Sequence, residues 1–163
     1  MQENMITYTM SNKGKIKITE YAFQRMEKYR QANREDLEAG GVLLGRFIVN
    51  TKDIVIDDVS IPMIGDKRTR TSFVRNAKSH QRIIDQQWTK SKGTCHYLGE
   101  WHTHPESHPD YSSVDIKNWK DRLKNDYFTS RYLYFLIFGI KGLEIWEGDR
   151  RTLKFKRLYK YEK

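Results

Sequence analysis

GEWHTHPESHPDYSSVD, Gly99–Asp115, sets three histidines and four acids in one short window directly after an apolar run. Cys95–Trp101 (CHYLGEW) reads as a strand. Pro105 and Pro109 exclude regular structure from the next stretch and predict a loop over His102–Tyr111. Ser112 or Ser113 then caps a helix that carries Val114, Trp119 and Leu123. A buried strand, a polar loop and a capped helix in that order are the repeating unit of a layered α/β fold.

The chemistry of the window follows from the same geometry. In extended backbone, alternate residues share a side. His102 and His104 therefore present two imidazoles together while Thr103 points away. Two neutral imidazoles are a natural first half of a zinc site, and a catalytic zinc takes three protein ligands plus one open position. Asp115, in the first turn of the next helix, is anionic and favoured there. The Pro105–Tyr111 loop is long enough to fold it back onto the histidines. A water bound at such a site needs a separate acid as base, and a hydroxyl such as that of Ser112 can serve a developing oxyanion. His-x-His alone is a weak signal, and Ser-Ser-Val-Asp is also an ordinary helix start. Glu100 and Glu106 flank the window and are either supporting or substrate-facing. His80, His96 and His108 read as surface or core residues, and Cys95 as a core thiol.

Outward from the window, Lys15–Thr19 (KIKIT) alternates as a short strand. Thr19 caps a helix expected to run through about Gln31, with Ala22, Phe23 and Met26 at helical spacing. Gly40–Asn50 (GGVLLGRFIVN) reads as a buried strand. Asp53–Ile61 (DIVIDDVSI) is its hairpin partner across Asn50–Lys52. Pro62–Ser72, basic and polar, reads as a mobile loop whose Lys67, Arg68 and Arg70 are a candidate substrate wall. Asn76 caps a helix with Ile83, Ile84 and Trp88, ended by Lys92-Gly93. Tyr132–Phe138 (YLYFLIF) is a buried strand, and Gly142–Glu147 and Thr152–Leu158 form an antiparallel end. The expected fold is one α/β domain over 1–163, a mixed sheet flanked by helices.

Composition bounds the function. At 163 residues one domain can close a core, and 13% aromatic content makes Phe, Tyr and Trp much of its filling. No run reaches the roughly 18–20 apolar residues of a membrane span, so no membrane role is expected. The start, MQENMITYTMSNKGK, has no apolar signal core. A single cysteine excludes an intrachain disulfide, and with the missing signal it points to the cytoplasm. The net charge of +9 is spread along the chain. Its densest cluster, RRTLKFKRLYKYEK (150–163), alternates as an edge strand with charged outer positions. Nucleic acid is an unlikely partner, because the acids around the histidine pair repel phosphate.

These residues resemble a known pattern. His102-Thr-His104-Pro105, then Ser112 eight positions after His104, then Val114-Asp115, is similar to the JAMM motif of the JAB1/MPN/Mov34 metalloproteases. Glu38-Ala-Gly-Gly41-Val-Leu43-Leu-Gly45 is similar to that family's upstream Glu-x-x-Gly-x-Leu-x-Gly pattern. The resemblance spans about residues 15–148. It implies a cytidine deaminase-like core, Zn²⁺ held by His102, His104 and Asp115, Glu38 as general base and acid, and Ser112 as oxyanion donor. It also implies cleavage of peptide or isopeptide bonds after a protein's C-terminal tail. GEWHTHPE is similar to bacterial members of anti-phage operons, above all the deconjugating peptidases of CBASS systems. There the tail belongs to a cGAS-like nucleotidyltransferase attached by an operon-encoded E1–E2-type enzyme. A bacterial ubiquitin-like or sulfur-carrier protein is the alternative substrate, and a non-catalytic MPN-type binding module the alternative class.

Overall fold

The computed structural model describes residues 5–162. Three runs rich in β-branched and aromatic residues form its centre: β3 (Gly40–Phe47), β7 (His96–Thr103) and β8 (Tyr132–Phe138). Along β8, Leu133, Phe135 and Ile137 feed one core while Tyr134, Leu136 and Phe138 feed the other. Strand alternation thus serves two buried faces at once.

The remaining strands are β1 (Ile6–Thr9), β2 (Lys15–Ile18), β4 (Ile54–Val59), β9 (Leu143–Asp149), β10 (Phe155–Arg157) and β11 (Tyr159–Lys160). The nine-stranded order is β10-β9-β8-β7-β3-β4-β2-β1-β11. The β2–β4 and β7–β8 pairs are parallel and the others antiparallel, so the sheet is mixed. Only Leu158 separates β10 from β11, yet they lie at opposite ends of that order. The sheet therefore curls until its ends meet. At the closure the Leu158 N–H donates to the Ile145 carbonyl (2.9 Å) and the Tyr161 N–H to that of Thr7 (2.8 Å).

Helix α1 (Glu20–Glu27) puts Ala22 and Met26 into the inner core. Helices α2 (Ala77–Lys90) and α3 (Ser113–Asn125) cover the outer face, where Trp119 and Leu123 are buried against Val42, Leu44, Phe135 and Trp146. The expected caps are in place: Thr19, Asn76 and Ser112 each accept from an N–H of the first turn.

Several boundaries differ from expectation. Helix α1 stops at Glu27 rather than Gln31, because the Gln31 side chain is buried among other partners: its amide donates to the Arg70 carbonyl (2.7 Å) and its oxygen accepts from the Thr103 hydroxyl (2.8 Å). Strand β7 includes His102 and Thr103, expected in the loop, because β8 pairs with them through Ile137 and Phe138. The stretch Pro62–Ser72 is not merely a loop. Lys67–Arg68 (β5) pairs with Phe73–Val74 (β6) in a small hairpin. Strand β1 went unread, since ITYT is short and weakly patterned.

Candidate active site

Glycine at position 99 sets the phase of the site. Its φ is +142°, and a Cβ there would lie 1.7 Å from the Tyr134 carbonyl oxygen. The β3–β7 register shifts here: Leu43 faces Gly99 and Leu44 faces Tyr97. This bulge resets the alternation, so Trp101 enters the inner core while His102 and His104 face outward beneath α3. The intervening Thr103 does a different job. Its hydroxyl accepts from the Ala39 N–H (2.9 Å) and its own N–H donates to the Ala39 carbonyl (2.9 Å). The middle residue of His-Thr-His therefore ties the histidine strand to the neighbour of Glu38.

Both imidazoles are buried, His102 at 9% and His104 at 7% exposure. Their Nε2 atoms lie 3.0 Å apart. Asp115 reaches both, with Oδ1 3.2 Å from His102 Nε2 and Oδ2 3.2 Å from His104 Nε2. For ligands about 2.0–2.1 Å from one tetrahedral ion, donor atoms are about 3.3 Å apart. The ring nitrogens at 3.0 Å, and a carboxylate oxygen 3.2 Å from each, come near that spacing, so two imidazoles and a carboxylate are suitable donors close enough to share one small cation. The helix start holds Asp115 in place: its carboxylate accepts from the Ser112 N–H (2.8 Å), and its own N–H donates to the Ser112 hydroxyl (3.1 Å). This is a reciprocal capping box. Burial acts to raise the Asp115 carboxyl, but the two imidazoles beside it and the Ser112 N–H outweigh it and hold it well below the usual carboxylate range.

Glu38 is the fourth member. It is 4% exposed, and its carboxylate lies with the two imidazole nitrogens inside a 4.8 Å group. Glu38, His102 and His104 are thus close enough to act on one bound ion or on a water beside it. Burial pushes the Glu38 carboxyl up to about 7, the two imidazoles pull it down, and Asp115 pushes it up further. Among the described residues no donor bonds this carboxylate. Its backbone, by contrast, is clamped by the β5–β6 hairpin: the Glu38 N–H donates to the Thr69 carbonyl (2.8 Å), and Arg68 Nε donates to the Glu38 carbonyl (2.9 Å). The side chain of Arg70 donates to the Arg34 carbonyl. Two of the three basic residues expected to line a substrate wall also hold the chain that leads to Glu38. Gly41 follows with its Cα against β4, where a Cβ would stand 2.1 Å from the Ser60 carbonyl oxygen. That close approach accounts for a glycine three residues after the acid.

Two contacts go beyond what the sequence places. Glu106 Oε1 lies 2.9 Å from His104 Nδ1, a contact that depends on how the loop closes. Trp119 backs the His102 ring at 6.2 Å and stacks on Phe135 at 4.8 Å. Glu100, its neighbour in the expected set, pairs with Arg75 at 3.0 Å, and Asp126 joins at 3.4 Å. Burial raises the Glu100 carboxyl against the pull of Arg75. The other histidines stay outside the site. His80 is buried between the Ser60 hydroxyl (2.7 Å) and Asp66 (3.0 Å), and His108 is exposed. Burial pushes the Cys95 thiol up to about 11, which makes it an inert core residue. No helix among the described residues is long and apolar enough to cross a membrane.

The chain has relatives. A Pseudomonas aeruginosa protein named CD-NTase/cGAS isopeptidase is 37% identical over 82% of this chain and 83% of its own. Proteins of the same name from Escherichia coli and Vibrio cholerae are each 32% identical, covering 98% and 88% of this chain and 97% and 88% of theirs. The solution structure of a Desulfitobacterium hafniense protein superimposes with a TM-score of 0.61 over 90% of both chains at 18% identity, a likeness of fold. The family model described as prokaryotic homologs of the JAB domain matches residues 20–150, which takes in Glu38, both histidines and the α3 start. The chain belongs to the prokaryotic JAB-domain family.

Proposed function

We propose that the protein is a zinc-dependent isopeptidase that releases a cGAS-like nucleotidyltransferase joined to target proteins through its C-terminus. One observation carries the chemistry: Asp115 stands 3.2 Å from each of two imidazole nitrogens, with a buried, unbonded carboxylate just beyond. Support for the substrate comes from the relatives, which carry the name CD-NTase/cGAS isopeptidase. An adjacent E1–E2-type transfer enzyme would be the natural source of the conjugate, and CBASS anti-phage defence its setting.

In this reading His102, His104 and Asp115 hold Zn²⁺, which when bound supplies a water of lowered pKa and an electrophile for the scissile carbonyl. Glu38 takes the proton of the attacking water and returns it to the amine that leaves. Water's oxygen goes to the nucleotidyltransferase tail as a carboxylate, and the target regains its lysine amine. Burial of Glu38 keeps bulk water from competing for the proton it carries. The Ser112 oxygen already accepts from Asp115 N–H. Its hydroxyl hydrogen is free to donate to the carbonyl oxygen as negative charge develops. The β5–β6 hairpin, fixed to the backbone of Glu38, forms one wall of the groove for the extended tail.

The test is a nucleotidyltransferase with a reporter protein fused after its C-terminus, incubated with zinc-loaded enzyme. Cleavage at the junction that stops on chelation supports the reading. Intact fusion, with a ubiquitin-like fusion cut instead, would overturn the substrate and leave the peptidase.

A further inference from the structure

The loop between β7 and α3 is held in one shape by backbone bonds that continue the sheet. The Ile140 N–H donates to the Glu106 carbonyl (2.7 Å) and the Lys141 N–H to the Ser107 carbonyl (3.0 Å). Gly139 packs below, where a Cβ would stand 2.7 Å from the Glu106 carbonyl oxygen. The backbone of Glu106 is thus fixed although its side chain is half exposed. That side chain does not extend into water. It turns back to His104, with Oε1 2.9 Å from Nδ1, while Nε2 of the same ring faces Asp115 and His102. A neutral imidazole carries one N–H; with Nε2 given to the metal, that N–H is on Nδ1, where Glu106 accepts it. The Nε2 lone pair then points into the site. Among the described residues no carboxylate takes the corresponding place at His102: Glu100, two residues before it on the same side of β7, is engaged by Arg75.

We propose that Glu106 is a positioning residue for the metal: it fixes His104 in the Nδ1–H form and strengthens the ring as a ligand. This rests on the metal reading above. A carboxylate behind a ligating imidazole sets its orientation and raises its basicity, and removing it lowers metal affinity about 10- to 100-fold.

The experiment is zinc competition against a chromogenic chelator for wild type, Glu106→Ala and Glu106→Gln, with thermal melts of the metal-free proteins. Glu106→Ala should bind zinc about 10- to 100-fold more weakly and melt with wild type before metal is added. Glu106→Gln keeps an acceptor oxygen for Nδ1–H and should recover part of the loss. In zinc-loaded wild type the His104 Nδ1–H proton should give a downfield NMR resonance that weakens or vanishes in Glu106→Ala. Unchanged zinc affinity in Glu106→Ala, with a raised KM, would overturn the proposal and make Glu106 a substrate contact. Failure of wild type to bind zinc would instead remove the metal reading itself, and the proposal with it, so the two failures are told apart.

Discussion

Glu38 is a carboxylate that folding buries with no donor among the described residues, and its titration gives a stability signature separate from catalysis. In the metal-free protein its carboxyl stands at about 7 against an ordinary 4.5. The folded state therefore holds this proton more tightly than the unfolded chain does. Stability from this group is greatest below the ordinary value and falls as pH rises from about 4.5 to 7, by about 3 kcal/mol at most. Glu38→Gln removes that loss. Urea melts of the metal-free proteins should show the variant more stable than wild type at pH 8 and level with it at pH 4. An equal gap at both pH values would mean that burial does not act on the Glu38 charge. Ser112 separates two roles in one residue. Ser112→Ala should lower stability by about 1 kcal/mol through the lost cap and turnover by about a hundredfold. Ser112→Asp should restore the cap but not the turnover, since a carboxylate accepts from the helix and cannot donate to an oxyanion. Recovery of turnover in Ser112→Asp would reduce Ser112 to a cap. At this scale the sequence was partly legible: the structure brings together His102, His104 and Asp115, as the His-x-His spacing and the helix start suggested, while Glu38 entered only through the resemblance of its Glu-x-x-Gly pattern. Glu106 was left between a supporting and a substrate-facing place, and Gln31 had no partner assigned, because the partners of both are brought by loop closure, which spacing does not encode.

Among the elements, β7 matters most, and its phase hangs on Gly99. A methyl group there meets backbone, not a yielding side chain, and the +142° φ is strained for any L residue. Gly99→Ala should cost several kcal/mol and fail in expression or melt far below wild type; a melt within a degree or two would show that the bulge is dispensable. The buried Gln31 joins three elements: the end of α1, the β5–β6 hairpin through Arg70, and β7 through Thr103. Gln31→Leu leaves the Thr103 hydroxyl and two carbonyls without these bonds. It should destabilise by about 2 kcal/mol, readable as a lower denaturant midpoint. The strands and caps were legible because apolar alternation and Ser, Thr or Asn at helix starts are local signals. The early end of α1 was not, because a long-range hydrogen-bond set overrides local helical spacing. The bulge is invisible to a strict period of two, and so the strand was ended one turn of alternation too soon.

Over the whole molecule, the sheet closes on itself and divides the apolar residues between an inner core under α1 and an outer one under α2 and α3. The basic C-terminal segment, read as an edge strand, forms β10 on one edge and β11 on the other, with buried Leu158 as the link. Ending the chain after Arg157 should expose the β1 edge and lower the melting temperature without changing the metal donor set. Which edges would meet was not legible, since short charged strands carry little register information. The site needs this assembly, for its groups come from the segment before β3, from β7 and from α3, and only the packed sheet unites them. The central claim is that His102, His104 and Asp115 hold the metal while Glu38 moves the proton. The most direct measurement is zinc content and peptide-bond hydrolysis of Glu38→Gln beside wild type. The account predicts one zinc per chain in both and turnover lowered by about 10²–10⁴ in the variant. Loss of zinc from Glu38→Gln, which would make Glu38 a ligand, or turnover near wild type with zinc retained, would contradict it.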